Sequence, residues 1–145
     1  MKFQAIYILL IGLLIQGCSL LVSEDEVSRV SSPSGILDAV LIESNGGAAT
    51  SFGYEVRIVP KGKNYKWGVE VASLYGATRN EHAYGVNLKW GTPQKLIIEY
   101  YKSKTANLIK NKIKIKNQII DVSLKGGVVD LGATSGGMLY NLMKK

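Results

Sequence analysis

The sequence predicts an all-β fold, a single antiparallel β domain, and three observations predict it. Apolar side chains recur with period two along much of the chain, the spacing of strands with one buried and one wet face. Turn signals cut these rows into short lengths: Asn45-Gly46-Gly47, Pro60-Lys61-Gly62 and Gly91-Thr92-Pro93. The sole candidate for a helix is short and terminal, at 137–144. Six or seven short strands follow, with sandwich, barrel and curved sheet all open.

Taken in order, the N-terminus has three parts: Met1-Lys2-Phe3-Gln4 with one positive side chain, an apolar stretch at 5–15, then Gln16-Gly17-Cys18. A basic start, an apolar core of this length and a small residue before the break form the layout of a secretory signal. Ile15-Gln16-Gly17-Cys18 resembles the lipobox of bacterial lipoproteins, in which a cysteine follows an aliphatic, a tolerant and a small residue. The resemblance implies that Cys18, the single cysteine of the chain, is the lipid attachment site. Its thiol is a good nucleophile for a diacylglyceryl group, and its amine takes a further acyl chain, such as palmitate, after cleavage. Two or three chains anchor a protein stably where one does not. An uncleaved anchor over 5–22 is the competing reading, but Gln16, Gly17 and Ser19 interrupt it. Residues 1–17 are then a signal peptide. Residues 18–33, rich in serine with the acidic run Glu24-Asp25-Glu26, are expected to be a flexible tether, and 34–145 the β domain.

Within that domain, "ILDAVLIE" (36–43) is apolar on both faces apart from Asp38, which predicts a central strand. Phe52, Tyr54, Val56 and Ile58 alternate with Gly53, Glu55 and Arg57. Trp67, Val69, Val71 and Tyr75 make another row. Tyr84, Val86, Leu88 and Trp90 make a third, and Leu96, Ile98 and Tyr100 a fourth. Ile113 and Ile115 have one parity, Ile120, Val122 and Leu124 the other, so a hairpin is predicted at 116–118.

The stretches at 32–62 and 74–90 resemble a group of small uncharacterised bacterial envelope proteins. The pattern is S-P-[DN]-G, then A-V-L, then G-G-A-T-T-S-F-x-Y-x-V-x-I-V, then Y-G-A-x-R. Ser34 and Ala49 stand where that pattern has Asp or Asn and Thr. The resemblance implies a shared fold unit and carries no established activity.

The chemistry of catalysis is thinly represented. His82 is the one histidine, in Arg79-Asn80-Glu81-His82, without the spacing of a catalytic triad or a metal pair. The glycine-rich stretches lack the G-K-[ST] ending of a phosphate loop, and no G-x-S-x-G elbow occurs. The expectation is therefore a protein that is not an enzyme and uses no cofactor, catalytic residue or metal. Arg79, Asn80, Glu81 and His82 form a candidate binding loop between strands.

Charge says more. The chain carries +7, and lysines crowd its later half. Lys110, Lys112, Lys114 and Lys116 would share one face of a continuous strand, either a candidate basic surface or a solvated edge that discourages pairing. For an exported lipoprotein, such a surface implies anionic lipid, lipopolysaccharide or an acidic envelope protein rather than nucleic acid. The expectations are a monomer held to a membrane by its N-terminal lipid. The lipobox resemblance, with Ser19 rather than Asp after the cysteine, implies the outer membrane, facing the periplasm, in a Gram-negative host. A second class is a small inhibitor or immunity-type lipoprotein that blocks a cell-wall-acting enzyme through the loop at 76–85.

Overall fold

The computed structural model describes residues 22–133. Within them the chain forms β1 (Ser23–Ser31), β2 (Leu37–Asn45), β3 (Gly53–Pro60), β4 (Val69–Tyr75), β5 (Arg79–Asn80), β6 (Ala83–Tyr84), β7 (Val86–Thr92), β8 (Lys95–Tyr100), β9 (Thr105–Leu108), β10 (Lys112–Ile115) and β11 (Gln118–Lys125). A single 3-10 turn, Tyr65–Trp67, precedes β4. Cys18, the signal peptide and the helix expected at 137–144 lie outside the described residues.

Two open sheets share one apolar core and close no barrel. The first has the order β1-β2-β3-β4-β9, the second β10-β11-β8-β7, and β5 and β6 form a small separate hairpin. Leu41, Val56 and Ile58 of the first sheet meet Leu96, Ile98 and Ile120 of the second in the shared core. The pairing is antiparallel except for β11 against β8. Those two strands are connected through β9 of the opposite sheet, which gives the chain the length to re-enter in the same direction.

Several expectations hold. β2 lies between β1 and β3 and is buried on both faces from Leu37 to Ile42. The even residues of β3 and β7 and those of β8 point into the core. The predicted hairpin turns at Lys116 and Asn117, with φ of 45° and 61°, the pair of positive angles that suits the twist of two-residue hairpins.

Three expectations need correction. Among the described residues the strands number eleven rather than six or seven, because β5, β6 and β9 are too short to show an alternation and β1 lies in the segment read as a tether. The tether assigned to 18–33 is largely strand: β1 pairs antiparallel with β2 from Ser23 opposite Asn45 to Ser31 opposite Asp38. A polar segment can order itself there because β2 supplies the buried surface. β1 adds only Val27 and Val30 to the core, with Glu26 and Arg29 paired on its other face. The row Trp67, Val69, Val71 and Tyr75 is also broken. Val56 faces Ala72 while the next residue, Arg57, faces Glu70, so Val71 is the extra residue of a bulge. Beyond it the core side passes to Ala72 and Leu74, while Trp67 stands in the 3-10 turn.

Candidate functional site

The candidate loop 79–82 becomes the tight hairpin of β5 and β6, and its four residues part company. Arg79 turns inward. Its Nη1 donates to Glu43 Oε2 at 3.0 Å and its Nη2 to the Tyr84 hydroxyl at 2.9 Å. The guanidinium carbon lies 4.1 Å from the Phe52 ring centroid and 4.7 Å from that of Tyr84. Burial works against this charge, but Tyr54, Tyr84 and Glu43 outweigh it and raise the Arg79 pKa above its ordinary value. Burial, followed by the charge of Glu43, pushes the Tyr54 hydroxyl up as well. The cluster fastens the hairpin to the end of the first sheet. Asn80 Oδ1 accepts from the His82 N–H at 2.8 Å, shaping the turn. Only Glu81 and His82 face water, with the His82 ring 5.7 Å edge-on from Tyr101.

The lysine row is shorter in the strand than expected. β10 carries only Lys112 and Lys114 outward, with Ile113 and Ile115 inward. Lys110 precedes the strand and Lys116 sits in the hairpin turn, so neither belongs to a continuous row of four. Lys112 also meets Asp121 at 3.3 Å, an exposed pair of small energetic value. β10 is an edge strand, where outward lysines discourage further pairing.

Register places other lysines beside these two. On the outer face of the second sheet, Lys112 is followed by Asp121 and then Lys95 across three strands. Lys114 lies beside Ile119, which is 54% exposed. Lys89 lies beside Ile97, and Lys125 beside Glu99. The face therefore presents Lys89, Lys95, Lys112, Lys114 and Lys125 against Asp121 and Glu99. Lys89 and Lys95 were missed in the sequence, although each alternates with an apolar residue of its own strand. Nothing local said that β8 would lie beside β11.

The opposite outer face reverses the sign. Register puts Glu24, Glu26, Asp38, Glu55 and Glu70 on the outer side of the first sheet, with Arg29 and Arg57 among them. Arg29 pairs with Glu26 and Asp38, and Arg57 with Glu55. A groove of about 260 Å³ opens there beside Glu24, Glu55, Glu70 and Tyr75. Among the described residues, no three His, Cys, Asp or Glu side chains converge so as to hold a metal ion.

All three arginines are thus consumed in ion pairs, while among the described lysines only Lys112 and Lys125 meet a carboxylate. The positive excess is left on side chains that face water. No protein-family model, no curated protein and no solved structure matches this chain. Among the described residues no helix is long and apolar enough to cross a membrane.

Proposed function

We propose that the chain is a lipid-anchored protein of the bacterial envelope that acts without catalysis, its β domain engaging an anionic surface through the lysine face of the second sheet. The observation that carries this reading is the separation of charge between the two outer faces. Lysines as flexible point charges suit lipid or lipopolysaccharide phosphates, and Ile119 adds apolar contact. The Ile15-Gln16-Gly17-Cys18 motif supports the anchor, and Ser19 supports the outer membrane in a Gram-negative host. Only four residues separate Cys18 from the start of β1, so the domain is held close to its membrane.

The test is co-sedimentation of the unlipidated chain from residue 19 onward with anionic and neutral vesicles across a salt series. Each lysine near such a surface contributes about 1 kcal/mol, so reversing Lys112→Glu and Lys114→Glu together should weaken binding at least roughly thirtyfold. Binding should also fall steeply with salt. If wild type and variant sediment alike, or neither sediments, the lysines are a solvated edge and nothing more.

A second reading, an inhibitor or immunity-type lipoprotein against a cell-wall-acting enzyme, is favoured by one observation. The inward anchoring of Arg79 leaves Glu81 and His82 presented on a braced tip. Loss of enzyme inhibition in Glu81→Ala/His82→Ala, with vesicle binding intact, would select it.

A further inference from the structure

The loop 60–68 joins β3 to β4 at the end of the first sheet remote from Ser23. It is stitched down at nearly every step. Lys61 N–H donates to the Ile36 carbonyl at 2.9 Å, and Gly62 N–H to Asp38 Oδ2 at 2.9 Å. Asn64 Oδ1 accepts from Lys66 N–H at 2.9 Å, and its carbonyl from Trp67 N–H at 3.1 Å. Tyr65 packs on Val40, Ile42 and Val59. Gly68 lets the chain pass close to Val59, where any Cβ would collide.

So constrained a loop nevertheless holds Trp67 81% exposed. Lys61, Lys63 and Lys66 precede it in the same loop, all exposed and in no ion pair, and no acidic residue lies between Glu55 and Glu70. An indole held in water by an ordered backbone is a surface prepared for contact, because the ordering entropy is already spent in folding.

We propose that this loop is a binding site for an anionic polysaccharide, with the Trp67 ring stacking on the apolar face of a sugar and the three ammonium groups reaching its carboxylates or phosphates. Three features favour this occupant. No pocket walls enclose the indole, as a peptide's anchor side chain would need, whereas an open ring matches the flat face of a pyranose. Separated lysines fit charges spaced along a polymer. The loop lies about 30 Å along β1 from the end where the chain enters, and beside the acidic outer face, so it points away from a membrane reached through the N-terminus. That last point rests on the anchor reading; the other two stand without it.

The experiment is affinity chromatography and tryptophan fluorescence of the chain from residue 19 onward on hyaluronate, with neutral dextran, poly-glutamate and anionic vesicles as comparisons. Wild type should bind hyaluronate, with a blue shift of the Trp67 emission, more tightly than poly-glutamate and not bind dextran. Trp67→Ala should bind roughly tenfold more weakly. Trp67→Tyr should recover part of the loss, and Lys61→Gln/Lys63→Gln/Lys66→Gln should elute at lower salt. Lys112→Glu/Lys114→Glu should leave the hyaluronate-induced blue shift of Trp67 unchanged, which separates this site from the lysine face. Circular dichroism confirms that each variant is folded, since all the altered side chains are exposed. Equal binding by Trp67→Ala overturns the proposal. So does equal or better binding to poly-glutamate, which would indicate an acidic protein, or a preference of the loop for vesicles.

Discussion

Asp38 is the residue on which the first sheet's outer layer turns. It interrupts an otherwise apolar strand, is only 2% exposed, and has its carboxylate fully engaged. Oδ2 accepts from Arg29 Nη1 at 2.9 Å and from Gly62 N–H at 2.9 Å, while Oδ1 accepts from Ser31 Oγ at 2.7 Å. Burial alone would raise its pKa, but the Gly62, Ser31 and Arg29 hydrogen bonds together hold it below the usual carboxyl range. A carboxylate depressed on folding adds stability that is present above its unfolded value, about pH 4, and is lost as pH falls through the lower folded value. Asp38→Ala should therefore cost about 3 kcal/mol at pH 7, because it orphans the Gly62 N–H and removes one partner of Arg29. Asp38→Asn should be destabilised at pH 7 and flatten the acid limb. Urea midpoints measured from neutral pH down to about pH 3 check both, and parallel curves for wild type and Asp38→Asn would count against it.

At the scale of elements, β1 shows how a polar segment becomes structure. It contributes Val27 and Val30 to the core, carries Arg29 to Asp38, and offers the Val30 carbonyl to Trp90 Nε1 at 3.0 Å. A chain beginning at residue 32 loses all of this and exposes the edge of β2, whose Leu37 to Ile42 are buried on both faces. Truncation at 32 should cost on the order of 5 kcal/mol relative to truncation at 19, a large share of a small domain's stability. Denaturant unfolding of the two chains decides it; equal midpoints would show that β1 is dispensable.

For the molecule as a whole, the decisive feature is that the two outer faces of a basic protein have opposite sign. An anionic surface should respond to which face is altered and not simply to net charge. Lys89→Glu/Lys95→Glu should weaken vesicle binding as severely as the pair on β10, since register makes the four lysines one face. Glu24→Gln/Glu70→Gln, which makes the protein more positive on the far side, should change affinity by less than about twofold, because charges beyond a Debye length are screened. Co-sedimentation at one salt concentration distinguishes the two ideas. A gain from the Glu variants equal to the loss from the Lys variants would mean that net charge alone governs.

By itself the sequence determined the β class, the strands β2, β3, β7 and β8, and the hairpin at Lys116 and Asn117. Each of these is written in neighbouring residues: an alternation long enough to count, or a turn pair that tolerates positive φ. Tertiary structure decided the rest. β1 is ordered by the buried surface of β2 rather than by its own composition. The parity of β4 depends on a bulge at Val71 that only its pairing with β3 reveals. Arg79 reads as part of a polar loop until Glu43 and Phe52 arrive from distant positions to enclose it with Tyr84 of its own hairpin. The lysine face exists only because β11 inserts parallel to β8 and brings Lys95 into line with Lys112. Period-two patterning is a property of one strand, whereas a surface is a property of strands set side by side, and their order is fixed by the packing of the shared core.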